Sequence, residues 1–198
     1  MINQCSHNHT AMSYNLYDYI YKIDDFLDQS TCKSIVKKIS KLNWAIHSYH
    51  NATTNTTHSY DNDLSVLVTD IPEVKALNEK IKYAIKFYID KFKFSWYNTY
   101  TNYTYVRMNK YDKNTTMRLH CDHIHSIFDG NTKGVPILTI LGSLNNEYKG
   151  GELIMFNNNE PVQLRAGNLL VFPSNFLYPH EVKPVISGTR YSYVSWSW

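Results

Sequence analysis

His120 and Asp122 stand two residues apart in the run Met117-Arg118-Leu119-His120-Cys121-Asp122-His123-Ile124-His125. On a β-strand, side chains two apart leave the same face, so an imidazole and a carboxylate would lie side by side. These are two members of a 2-His-1-carboxylate set, which holds non-haem Fe(II) and leaves coordination positions open. Alone the pair says little in a chain with 9 histidines, because the two groups can simply satisfy each other at a strand end. A third ligand is offered by His180, where a strand begins after Pro173-Ser174-Asn175 and Tyr178-Pro179. Arg190 follows beyond a reversal at Ile186-Ser187-Gly188. If a hairpin is centred on Ser187, His180 pairs with Val194 and Arg190 with Pro184, and the even positions His180, Arg190 and Trp196 share a face. Arg190 then lies four residues along the strand from His180, roughly 13 Å. The arginine side chain fills part of that span, and the rest suits a small dicarboxylate with one end on a metal and the other on the guanidinium fork.

The neighbours of these residues divide by parity and position. Cys121 alternates to the opposite face from His120 and reads as a packed core thiol. His123 and His125 read as rim histidines, since three ligands already complete the protein's share, with His125 able to touch a substrate. Arg118 shares the parity of His120 and is a candidate for entering the pocket or for a solvated strand end. Tyr103, Tyr105 and Tyr111 also share one parity and read as wall packing unless something singles one out. Arg107 reads as structural.

The elements that must position this set begin about halfway along the chain. With 198 residues and 43% hydrophobic content, the length suits one domain with a sizeable core. A formal net charge of +3 with no basic block gives no argument for a nucleic-acid partner. Three widely spaced cysteines, Cys5, Cys32 and Cys121, fit a reduced intracellular protein better than a disulfide scaffold. No basic start followed by an apolar run marks a signal peptide, and no stretch is long and apolar enough for a membrane span, so the expected location is cytoplasmic.

Residues 1–15 are polar and aperiodic and read as a loose N-terminus, and residues 16–99 as helical support. Tyr17 to Ile23 suggests a short strand. Asp28-Gln29-Ser30 offers N-cap residues to an amphipathic helix from Thr31 to Leu42. Residues 50–62 are polar, repetitive in composition and aperiodic, and read as a long mobile loop. Ile71-Pro72 opens a second helix running to Phe92, with Val74, Leu77, Ile81, Ala84, Ile85, Tyr88 and Ile89 forming its apolar stripe. From residue 100 to 198 the period changes to two. Eight short strands with Gly, Pro and Asn turns predict a sandwich or jelly roll.

The order His120-x-Asp122, Gly150-Gly151-Glu152, His180, and Arg190 followed by Trp196 resembles the Fe(II)/2-oxoglutarate-dependent dioxygenases, in particular the prolyl-4-hydroxylase-like group. The resemblance covers about half the chain, and the four-part order is far more specific than any part. It implies a double-stranded β-helix, a cupin-like jelly roll of mainly β (α+β) class, with the two N-terminal helices supporting one sheet. His120, Asp122 and His180 would bind Fe(II) and be the catalytic set. Arg190 would take the distal carboxylate of 2-oxoglutarate, Thr139 would lie near the same carboxylate, and Tyr111 would contact the co-substrate. Trp196 would stand at the pocket mouth, with Arg118 and His125 as further substrate candidates. Many prolyl 4-hydroxylases carry Lys where this chain has Arg190. The loop at 50–62 lies where relatives carry a loop that covers substrate.

The implied reaction uses O₂, decarboxylates 2-oxoglutarate to succinate and hydroxylates a prolyl or other side chain of a peptide or protein, with ascorbate as an accessory reductant. Hydroxylation of a free amino acid or another small molecule is the alternative within enzymes. A jelly-roll binding module without turnover is the alternative from another class.

Overall fold

The computed structural model describes residues 15–51, 54–93, 102–122, 136–156 and 160–198. After a short 3-10 turn at Leu16–Tyr19, the elements are β1 (Tyr21–Ile23), α1 (Gln29–Ile39), β2 (Ala45–Ile46), β3 (Tyr49–Asn51), β4 (Thr56–His58), β5 (Ser65–Leu67) and α2 (Pro72–Phe92). The second half is all strand: β6 (Arg107–Tyr111), β7 (Met117–His120), β8 (Leu138–Ser143), β9 (Tyr148–Gly150), β10 (Leu153–Met155), β11 (Pro161–Val162), β12 (Leu169–Pro173), β13 (His180–Val182), β14 (Val185–Gly188) and β15 (Arg190–Ser197). Seven strands form a major antiparallel sheet in the order β1-β12-β8-β15-β6-β5-β2. Facing it is a minor sheet ordered β11-β10-β13-β7, with β14-β9 and β3-β4 as separate ribbons. This is the expected double-stranded β-helix.

The helices start where their caps say they should. Asp28 caps α1 by accepting from the Thr31 backbone N–H at 2.8 Å and from its hydroxyl at 2.7 Å. Pro72 opens α2, where its missing N–H costs nothing, and Lys93 closes that helix in the left-handed region at φ 51°. Their apolar stripes pack on one face of the major sheet. Cys32, Ile35 and Ile39 of α1 and Val74, Leu77, Ile81, Ala84, Ile85 and Tyr88 of α2 share a core with Met108, Leu138, Ile140, Leu169, Val171 and Tyr193.

Alternation along each strand sends the intervening residues to a second core between the sheets. Tyr111, Leu141, Leu170 and Phe172 meet Met117, Leu153, Met155 and Val182 there. The major sheet is therefore buried on both faces, which is why β8 is buried at all six positions rather than alternating with water. Burying a large aliphatic side chain stabilises by about 1.5–3 kcal/mol, so both layers hold the central strands in register.

Three expectations need correction. Residues 50–62 take part in an antiparallel ribbon that begins one residue earlier, Tyr49↔His58 to Asn51↔Thr56, where composition suggested only a loop; the threonines that lowered its complexity are β-branched and suit a strand. Tyr17 to Ile23 is split between the 3-10 turn and β1. The hairpin centred on Ser187 does not form. Instead β13 pairs with β7 and β10, β14 with β9, and β15 with β6 and β8. Gly188 at φ 77° does reverse the chain, but it passes the strand to a different sheet. The loose N-terminus expected at residues 1–15 falls almost wholly outside the described residues.

Candidate active site

His120 and His180 face each other as a register pair between β7 and β13. Their rings lie 4.4 Å apart, centroid to centroid, and Asp122 follows just past the end of β7. His120 Nε2 is 3.4 Å from Asp122 Oδ1 and His180 Nε2 is 3.7 Å from Asp122 Oδ2. One ligating atom from each of the three falls within 4.8 Å of the others. His180 and Asp122 are 3% and 4% exposed, so an ion held there would be largely shielded from water.

The backbone fixes which nitrogens face inward. His120 Nδ1 is 2.7 Å from the Arg118 carbonyl, and His180 Nδ1 is 3.1 Å from the Tyr178 carbonyl. A carbonyl can only accept, so each Nδ1 carries a proton, and each Nε2 is the nitrogen turned toward Asp122, with a lone pair to offer a metal when the ring is neutral. This is the tautomer that a metal-binding histidine needs. Asp122 is held from the other side by Thr139, whose hydroxyl donates to Oδ2 at 2.7 Å and lies 2.8 Å from Ser174 Oγ.

The charges are tightly linked. Burial pushes the Asp122 carboxyl up, but the two imidazoles and the Thr139 hydroxyl outweigh it and hold the group well below the usual carboxylate range. Burial pushes the His180 imidazole down despite Asp122. At His120 burial also acts downward, but the Asp122 bond and charge and the Arg118 carbonyl leave it raised.

Arg190 sits in the same barrel on the opposite wall. It is 2% exposed, donates from Nη1 to Ser192 Oγ at 3.0 Å, and lies with its guanidinium carbon 4.9 Å from the centre of the Tyr111 ring. Its Nε has no partner among the described residues. A buried guanidinium with so few acceptors is built to receive an anion. Gly151 makes room for it: a Cβ at that position would stand 3.1 Å from Arg190 Cδ, and its φ of +67° already favours glycine. Tyr111 is buried opposite Arg190 in the β6–β15 register, and burial pushes its phenol up, so it remains a neutral hydrogen-bonding group.

The triad opens into a pocket lined by Leu64, Arg107, Asn109, Tyr111, Met117, His120, Asp122, Leu141, His180, Val182, Val194 and Trp196. The expected set is thus distributed as follows. His120, Asp122, His180, Tyr111 and Trp196 meet around one pocket, with Arg190 beside Tyr111. Thr139 is not near the Arg190 end, because it pairs with Trp196 on β15 while Arg190 lies beyond the partner of Ser143. Its hydroxyl bonds Asp122 instead. Arg118 is exposed and stacks on the Tyr60 ring at 3.6 Å, outside the pocket lining, because the register shift between the His120↔His180 and Met117↔Val182 pairs breaks the alternation of β7 and turns Arg118 and Leu119 outward. Cys121 is only half-buried, since β7 ends at His120 and strand alternation no longer applies. His123 and His125 lie outside the described residues.

Two pocket residues were not singled out from the sequence. Arg107 and Asn109 share the inward face of β6 with Tyr111, a parity that was visible in the sequence, and Arg107 Nε donates to Asn109 Oδ1 at 3.1 Å. Burial pushes the Arg107 guanidinium down from its usual value, and the nearby Tyr111 and Asp122 partly offset this.

Residues 106–198 match the 2OG-Fe(II) oxygenase superfamily. A PKHD-type hydroxylase of Shewanella oneidensis is 36% identical over 91 residues, which are 44% of this chain and 40% of that protein. A PKHD-type hydroxylase of Delftia acidovorans is 34% identical over 96 residues, 46% of this chain and 42% of that protein. The matches thus span about two-fifths of these relatives' length. Among solved structures, the viral collagen prolyl hydroxylase of Paramecium bursaria Chlorella virus-1 superposes with a TM-score of 0.64 at 18% identity, covering 90% of this chain and 94% of that one. A Pseudomonas putida prolyl-4-hydroxylase gives 0.64 at 17% identity, covering 90% and 91%. At such identities the likeness is one of fold.

Proposed function

We propose that this chain, whose residues 106–198 belong to the 2OG-Fe(II) oxygenase superfamily, is an Fe(II)- and 2-oxoglutarate-dependent dioxygenase that hydroxylates a prolyl or other side chain of a peptide or protein. The observation that carries the reading is the convergence of two Nε2 lone pairs and one carboxylate, with both tautomers fixed by backbone carbonyls. His120, Asp122 and His180 would hold the metal, a donor set that fits Fe(II) with positions left for other ligands. Bound together, iron and 2-oxoglutarate supply O₂ activation coupled to decarboxylation of the co-substrate to succinate.

The protein's own groups do the positioning. Arg190 takes the distal carboxylate, with Ser192 holding one arm of its fork and Tyr111 closing over it. The two imidazoles, with a smaller contribution from the Thr139 hydroxyl, keep Asp122 ionised, and Thr139 aims it, so the metal competes with few protons for that carboxylate. The walls formed by Met117, Leu141, Val182 and Val194 exclude water from the reacting end. Trp196 lines the same pocket.

The ribbon β3–β4 is assigned the role of a substrate cover. Tyr49 at its base donates to Met117 Sδ at 3.3 Å and packs edge-on against His47 at 4.6 Å, which ties the ribbon to a pocket-lining residue. Among the described residues no helix is long and apolar enough to cross a membrane.

The test is succinate release from 2-oxoglutarate by the purified protein with Fe(II), ascorbate and O₂, with and without proline-containing peptides. Release that needs Fe(II) and disappears in H120A and D122A supports the assignment. No release and no 2-oxoglutarate binding would refute it.

A further inference from the structure

The pocket holds a cation that the reaction as described leaves without a task. Arg107 lines it beside the triad, with its guanidinium carbon 5.0 Å from the centre of the Trp196 ring. Its Nε bonds Asn109, but its two terminal nitrogens have no hydrogen-bond acceptor among the described residues. Trp196 is 8% exposed, and its indole N–H is buried without a partner. Next to them His47 Nδ1 is also buried without a partner, and burial followed by the Arg107 and His120 charges pushes this imidazole down to about 4. Among the described residues Asp122 is the only carboxylate lining the pocket, and it is committed to the metal set. The guanidinium lies over the Trp196 ring with its terminal nitrogens unclaimed, and the indole N–H is buried without an acceptor, so an anion entering here would find donors still to be satisfied.

The register separates this pair from the co-substrate anchor. Arg190 pairs with Tyr111, whereas Val194 pairs with Arg107, so Arg107 stands four residues along β6 from the anchor, roughly 13 Å at the usual strand rise. Trp196 lies further along β15 in the same direction. An acid whose far carboxylate rests on Arg190 and whose other end rests on the metal has no third carboxylate for Arg107.

We propose that Arg107 is a specificity-determining residue that receives a carboxylate of the substrate, so that the preferred substrate bears an acidic group next to the carbon being hydroxylated. This rests on the dioxygenase assignment. Trp196 supplies the neighbouring N–H, and the guanidinium fork gives two parallel donors to one carboxylate. Lysine at position 107 would keep the charge and lose the fork.

The test uses Mn(II) and 2-oxoglutarate loaded protein and fluorescent nonapeptides in which a single proline is flanked by Glu, Gln or Lys, together with free L-proline against L-prolinamide as competitors. Anisotropy should show the Glu peptide, or proline itself, binding at least tenfold tighter than its amide counterpart. R107Q should bring acid and amide within threefold, and R107K should restore part of the difference. Equal binding of acid and amide by the unaltered protein overturns the proposal.

A parallel titration of 2-oxoglutarate into the Mn(II) protein distinguishes the other source of a carboxylate. A tenfold or greater loss of 2-oxoglutarate affinity in R107Q, with acid preference intact, would place Arg107 on the co-substrate and overturn the proposal. Succinate release without any peptide tests the dioxygenase assignment separately, so the two can fail independently.

Discussion

Replacing Thr139 with Val removes one hydroxyl and almost no volume at a fully buried position. What is lost is the 2.7 Å bond to Asp122 Oδ2 and the 2.8 Å contact with Ser174. A hydrogen bond to a charged acceptor contributes about 1.5–3 kcal/mol, and about 1.4 kcal/mol is tenfold in an equilibrium constant. Groups that orient a metal ligand typically govern affinity by about 10–100-fold. T139V should therefore bind Mn(II) or Fe(II) about 10–100-fold more weakly by calorimetry. The Thr139 hydroxyl helps hold the Asp122 carboxyl down, so without it the carboxyl rises and protons compete harder. The deficit should widen as pH falls toward the carboxylate range and narrow as it rises. Ser174, left with a buried unpaired hydroxyl, will also lower the unfolding temperature, so T139S serves as the control that restores the donor. Metal affinity within threefold of the parent, alongside a lowered unfolding temperature, would refute the argument and make Thr139 a packing residue.

Arg190→Ala should weaken 2-oxoglutarate binding at least 100-fold in calorimetry while Mn(II) binding persists; equal loss of both would mean the arginine only holds the wall together. Gly151→Ala should raise the KM for 2-oxoglutarate several-fold with little change in metal affinity, since its Cβ meets Arg190 Cδ, and should cost about 1–2 kcal/mol in chemical denaturation for the left-handed backbone. Glu73 joins the two helices by bonding Lys38 at 2.5 Å and Ser34 at 2.8 Å, and these bonds lower its pKa to about 2 from an ordinary 4.5. A depressed carboxylate stabilises above its unfolded pKa and loses that effect as pH falls through the folded one. The unfolding temperatures of parent and E73Q should therefore differ at pH 6 and converge toward pH 2. Shortening the β3–β4 ribbon should reduce peptide-stimulated turnover more than peptide-free succinate release; equal loss would remove the ribbon from the site.

What the sequence disclosed was governed by range. His120 and Asp122 stood out because two-residue spacing is a local signal, and the helices because their stripes and caps are local too. Which strand lies beside which is not local. Ser187-Gly188 looked like a hairpin because a reversal is encoded nearby, whereas the pairing of β13 with β7 depends on residues sixty positions away. His180 and Arg190 still face the same interior, but from opposing sheets rather than from one paired face. Thr139 was placed by resemblance at the wrong end of its own strand, an error that only the β8–β15 register corrects. Arg107 was passed over although it shares parity with Tyr111, because parity cannot say whether an inward arginine has a counter-ion.

On β8, Leu138 and Ile140 meet the helices while Thr139 and Leu141 look the other way; on β15, Tyr193 does the first and Val194 the second. Adjacent residues in the chain thus answer to different demands across a partition one backbone thick. Substrate preference can drift through replacements at odd positions of β6 and β8 and even positions of β15, while the helical layer goes unchanged. Replacements on the opposite parity can harden the protein against heat without altering what it accepts. The same alternation that builds the barrel lets selectivity and robustness evolve as separable traits.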